Sequence, residues 1–60
     1  MWDVICKEQI RNEVKEWYVS RGFTWYEALK TAMWFNHALY KKQKDYERVY
    51  YIRKVKKNGK

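Results

Sequence analysis

The sequence predicts an all-α fold: an antiparallel helical hairpin, with a short first helix and a long second one, completed by dimerisation. Three observations lead there. Apolar residues recur at three- and four-residue spacing on both sides of a single interior break, Ser20-Arg21-Gly22-Phe23-Thr24. Thr24 and Glu27 spell the Thr-x-x-Glu capping box that opens a helix. No Gly or Pro interrupts residues 24–58.

Before the break, Cys6, Ile10, Val14, Trp17 and Tyr18 form one face, and Glu8, Arg11, Asn12, Lys15 and Glu16 occupy the rest. The first helix is expected over residues 3–20. Gly22 suits the position just past its end, where a left-handed residue closes a helix. Phe23 then sits before the cap as a weak staple against the small Ala28. After the break, Trp25, Ala28, Leu29, Ala32, Phe35, Asn36, Leu39, Gln43, Tyr46 and Tyr50 fall within one helical stripe. It fails at Arg53, Lys54 and Lys57, so the second helix is expected over 24–52, followed by a basic tail from 53 to 60. The alternative is a break near Lys41–Lys44 followed by a third helix or a strand. Arg48 to Arg53 is rich in β-formers, and the one segment able to pair with such a strand is Trp2–Cys6.

Helix lengths carry the dimer expectation. At about 1.5 Å per residue, the first helix is roughly 27 Å long and the second at least about 43 Å. The first covers only 24–42 of the second, which leaves Tyr46, Val49, Tyr50, Tyr51 and Ile52 without cover, while Trp34 points away from the Leu29–Leu39 stripe. A homodimer packed through these six residues would bury them.

Residues Glu8-Gln9-Ile10, Arg21-Gly22-Phe23-Thr24 and Glu27-Ala28-Leu29-Lys30 resemble the first two helices of ubiquitin-associated domains, where a Met-Gly-Phe loop precedes the second helix. Arg21 stands in place of that Met, the second helix runs longer, and the closing Leu-rich helix has no counterpart. The resemblance is not adopted.

The composition bounds the function. Sixty residues of 7.6 kDa form one small domain whose lone core is marginal. The net charge is +7, and its distribution is uneven. Residues 1–36 hold five basic and five acidic side chains, whereas residues 37–60 hold nine basic and two acidic ones. All of the net charge therefore lies in the C-terminal 24 residues, which points to an anionic partner or a solubilising tail. With a single cysteine, Cys6, no internal disulfide forms, and the expected location is cytoplasmic. No apolar run exceeds four residues, against about twenty for a membrane span, so no membrane partner is expected.

His37 is the sole histidine and has no carboxylate at 33, 34, 40 or 41. No metal site, phosphate-binding loop, nucleophile elbow or paired-carboxylate cleft is legible, so neither a cofactor nor an enzyme activity is expected. The favoured function is a small basic helical binding protein that meets nucleic acid, or an acidic protein surface, through its C-terminal half. Lys41, Lys42, Lys44, Arg48, Arg53, Lys54, Lys56 and Lys57 supply the charge, with Tyr46, Tyr50 and Tyr51 interleaved to stack on unpaired bases. The alternative is an inhibitor or adaptor of the kind made by phages and mobile elements, docking an aromatic helical face on a larger host or defence protein. The ten Trp and Tyr residues suit that role.

Overall fold

Two β-hairpins, joined by one helix, build a four-stranded antiparallel sheet. The computed structural model describes residues 1–22 and 24–55. Strand β1 (Trp2–Ile10) turns through Arg11 and Asn12 into β2 (Glu13–Gly22). Helix α1 (Trp25–Leu39) follows, then β3 (Lys41–Gln43) and β4 (Tyr46–Lys54), joined by the turn Lys44-Asp45. The sheet order is β2-β1-β4-β3. The Cα trace spans 41 × 26 × 11 Å, thin enough for one sheet and one helix.

The all-α helical hairpin expected from periodicity is therefore wrong, and the reason is arithmetic. A spacing of four is common to a helix of period 3.6 and a strand of period 2. Cys6 and Ile10 share a face in β1, and Tyr46 and Tyr50 share one in β4, as each pair would on a helix. The stretch Glu8–Lys30 that resembles ubiquitin-associated domains runs through strand, turn and strand before it reaches helix. The second helix stops at Leu39 and not at 52, with the Tyr40 N–H donating to the Asn36 carbonyl (2.9 Å). Beyond it, the β-forming run pairs with β1 in the register Trp2↔Lys54, Val4↔Ile52 and Cys6↔Tyr50. The strand alternative, with the partner segment named for it, is the one the chain adopts. Tertiary pairing overrides the unbroken helical pattern here.

The capping box is present as read. Thr24 Oγ1 accepts from the Glu27 N–H, and the Thr24 N–H donates to Glu27 Oε1, both at 3.1 Å. Phe23 and the expected staple lie outside the described residues. So do Lys56, Lys57 and Lys60 of the expected tail, whereas Arg53 and Lys54 belong to β4.

The core lies between α1 and one face of the sheet. Ala28 and Ala32, one turn apart, press against Val4, Cys6 and Tyr50, with Trp2, Val19, Phe35 and Ile52 half-buried around them. Small helix residues let the two layers approach closely, and Gly22 serves the same need. It is not a left-handed helix cap, because no glycine has positive φ among the described residues. A Cβ on Gly22 would lie 2.8 Å from the Ala28 backbone nitrogen. Gly22→Ala is accordingly expected to cost about 1–3 kcal/mol, read as a lower urea midpoint with an unchanged slope.

The free edge of β4 has its own cover. Strand β3 pairs only as far as Lys41↔Arg48. Past it, Asn36 takes the place of a neighbouring strand: its Nδ2 donates to the Tyr50 carbonyl (2.8 Å), and the Tyr50 N–H donates to its Oδ1 (2.7 Å). Phe35 stacks on the Tyr50 ring at 5.1 Å between centroids. Burial pushes the pKa of the Tyr50 phenol up, and the neighbouring Cys6 side chain adds to the shift. Among the described residues, no helix is long and apolar enough to cross a membrane.

Candidate anion-binding end of the sheet

Both hairpin turns lie at the same end of the sheet, because Ile10 of β1 stands opposite Tyr46 of β4. They are tied together there by the Arg11 N–H, which donates to the Asp45 carbonyl at 2.9 Å. Between the turns is a cleft of about 240 Å³ lined by Gln9, Arg11, Lys42, Gln43, Lys44, Asp45, Tyr46 and Glu47. Lys41, Lys42 and Lys44 are exposed, and none of them has an ion-pair partner among the described residues.

The eight cations expected to form one binding surface do not stay together. Lys41, Lys42 and Lys44 gather on the β3–β4 hairpin. Arg48 is drawn inward: its Nε donates to the Tyr46 hydroxyl (3.0 Å), and its Nη2 lies 3.7 Å from Glu8 Oε2. The Tyr46 hydroxyl in turn donates to Glu8 Oε2. The Glu8 carboxylate favours the neutral phenol of Tyr46, whose pKa is raised chiefly for that reason. This half-buried network holds β1 to β4 and removes Arg48 from the charge available to a partner. Arg53 sits six residues from Glu47, the register partner of Lys42, which is roughly 20 Å along the strand. There its Nη1 lies 4.0 Å from Glu16 Oε1. Lys54 stands opposite Trp2 at that far end.

The six residues expected at a dimer or partner interface divide as well. Tyr50 is in the core, with Ile52 packed against it. Val49 and Tyr51 lie on the opposite face of the sheet from Tyr50, and both are half-buried. Tyr46 is held by Glu8 and Arg48. Trp34 alone is widely exposed, at 62%. Of the uncovered apolar set that motivated a dimer through a long second helix, Tyr50 and Ile52 belong to the layer between helix and sheet, whereas Val49 and Tyr51 lie on the other face.

Reading the sequence as helices missed Arg11, Gln9 and Gln43. The dipeptide Arg11-Asn12 was the available signal, since Asn favours turns, but a helical reading placed it on a solvated face. Among the described residues, no group of three or more His, Cys, Asp or Glu side chains is placed to hold a metal ion. Comparison with protein-family models, curated proteins and solved structures finds no match to this chain. The class is thus defined by the fold alone, a two-layer α+β protein with one helix on a four-stranded antiparallel sheet.

Proposed function

We propose that the protein binds nucleic acid, meeting the phosphate backbone with the β3–β4 hairpin and the turn beside it. One observation carries the reading: Lys41, Lys42 and Lys44 project from a three-residue strand and its turn, exposed and free of carboxylate partners among the described residues. A phosphate that pairs with such a lysine releases its condensed counterions without first breaking an internal ion pair. A net charge of +7 draws the polyanion in at long range.

Salt dependence tests it. The log of affinity for a mixed-sequence oligonucleotide should fall linearly with log salt, by roughly 0.7–0.9 per phosphate contact. Lys41→Ala with Lys42→Ala and Lys44→Ala should lower that slope by about 2–3 and leave the melting temperature nearly unchanged, because all three side chains are exposed. A slope equal to that of the unmodified protein would remove the hairpin from the interface.

A second reading has its own observation. Tyr26, Met33 and Trp34 line the solvent side of α1 at 61%, 60% and 62% exposure, and Lys30 Nζ lies 5.4 Å from the Tyr26 ring centroid. An inhibitor or adaptor would dock this face on a larger protein. Trp34→Ala with Met33→Ala would then abolish partner binding while oligonucleotide affinity stays unchanged.

A further inference from the structure

We propose that the cleft between the two hairpin turns takes one unpaired nucleotide of the bound strand, with Arg11 gripping its phosphate. The proposal rests on the nucleic-acid reading above and names the form of nucleic acid that the site selects.

Size is the first argument. At about 240 Å³ the cleft is smaller than the roughly 300–1,000 Å³ of pockets that enclose a whole drug-sized ligand, so it suits one unit of a longer chain. Its chemistry is the second. The Arg11 guanidinium offers a planar fork of donors matched to phosphate oxygens. Gln9, Gln43, Asp45 and Glu47 line the same cleft, and their amides and carboxylates are of the kinds that pair with base edges, although Glu47 Oε2 also accepts from the Tyr40 hydroxyl (3.2 Å). A base held in a duplex cannot enter such a cleft, whereas an unstacked one presents its whole edge.

The backbone of Arg11 supplies the third argument. Its φ is 57°, the one positive value at a non-glycine position among the described residues. That region suits glycine or asparagine, and the chain places an arginine there although Asn12 is next to it. The conformation is held by the Arg11 N–H to Asp45 carbonyl bond and by Gln9 Nε2 donating to the Arg11 carbonyl at 3.3 Å. Strain kept at a charged cleft fits a residue retained for its side chain. The other three arginines agree. Arg21, Arg48 and Arg53 each have a carboxylate partner, at 2.7, 3.7 and 4.0 Å, and Arg11 has none among the described residues.

Arg11→Gly separates the two roles of this residue. Relief of strain should raise the melting temperature by roughly 2–8 °C. Loss of the side chain should weaken binding of a fluorescein-labelled mixed-sequence single strand of about 12 nucleotides by about tenfold. Affinity for the matching duplex should change less than about twofold, since the hairpin lysines carry that contact. Arg11→Lys should restore only part of the single-strand affinity, because an ammonium lacks the fork. Raised stability with unchanged single-strand affinity would overturn the proposal and leave the lysine hairpin standing, provided that the triple lysine variant still lowers the salt slope. Equal affinity of the unmodified protein for single strand and duplex would also overturn it. No binding to either oligonucleotide would overturn both this proposal and the reading it rests on.

Discussion

Tyr50→Ala is expected to unfold the protein. Tyr50 is 9% exposed, meets Val4, Cys6, Ala28 and Ala32 in the core, and stacks on Phe35. Truncating a large buried aromatic costs about 3–5 kcal/mol. At roughly 0.05–0.15 kcal/mol per residue, a chain of this length has only about 3–9 kcal/mol in total. Circular dichroism at 25 °C should show the variant largely unfolded or melting far below the parent. The double change Tyr50→Glu with Ile52→Glu, which a helical reading would use to split a dimer, should likewise abolish the fold and report nothing about association. A folded Tyr50→Ala protein of near-parental stability would mean that the helix does not pack on this face of the sheet.

The next largest effect is expected at Asn36, through a different mechanism. Its carboxamide satisfies both the N–H and the C=O of Tyr50 on the edge that β3 leaves open. Asn36→Leu removes both partners, and each orphaned group costs about 1–3 kcal/mol to the extent that it stays dry. Unpaired strand edges also invite pairing with other chains, so the variant should aggregate on heating as well as melt early. Asn36→Asp gives a second readout: it keeps an acceptor for the Tyr50 N–H but sets a carboxylate against the Tyr50 carbonyl. It should therefore be destabilised too, although its side chain is nearly the same size. If Asn36→Leu matches the parent in both melting and solubility, the amide is not what protects this edge.

The sequence showed the local chemistry of the helix start and misread the periods on either side of it. Thr24 and Glu27 are a short-range signal that tertiary packing left intact. Cys6 was legible as a buried small apolar residue, since both periodicities place it on a core face. What remained ambiguous was any pair of apolar residues four apart, and Cys6–Ile10 and Tyr46–Tyr50 are both of that kind. The β-branched and aromatic run at Arg48–Arg53 and its partner Trp2–Cys6 were visible as an alternative, but the length of the unbroken helical stripe outweighed them. Neither turn resolved the choice. Arg11-Asn12 and Lys44-Asp45 carry no glycine, and one of them puts an arginine at positive φ.

That misreading decided which candidate site residues were legible. Charge counting located the basic half of the chain, and Lys41, Lys42 and Lys44 lie in that half whether it is helix or hairpin. It missed that Glu8 of β1 reaches Arg48, that Glu16 of β2 reaches Arg53, and that Arg11 of the first turn stands beside the second. Each is a contact between residues far apart in sequence that only the sheet register creates. The aromatic residues show the same limit. Tyr50 and Ile52 are two apart from each other and share the buried face, while Tyr51 between them faces the other way, a distinction that a helical stripe does not draw.

The central claim is that the two turns at one end of the sheet form the surface that meets nucleic acid. Amide chemical-shift mapping tests it most directly: the isotope-labelled protein is titrated with the mixed-sequence single strand, and the perturbed residues are located on the fold. The expected result is perturbation confined to two segments distant in sequence, Gln9–Asn12 and Lys41–Glu47, with Tyr26, Met33 and Trp34 unmoved. Shifts concentrated on the solvent face of α1, or none at all at millimolar oligonucleotide and low salt, would contradict it.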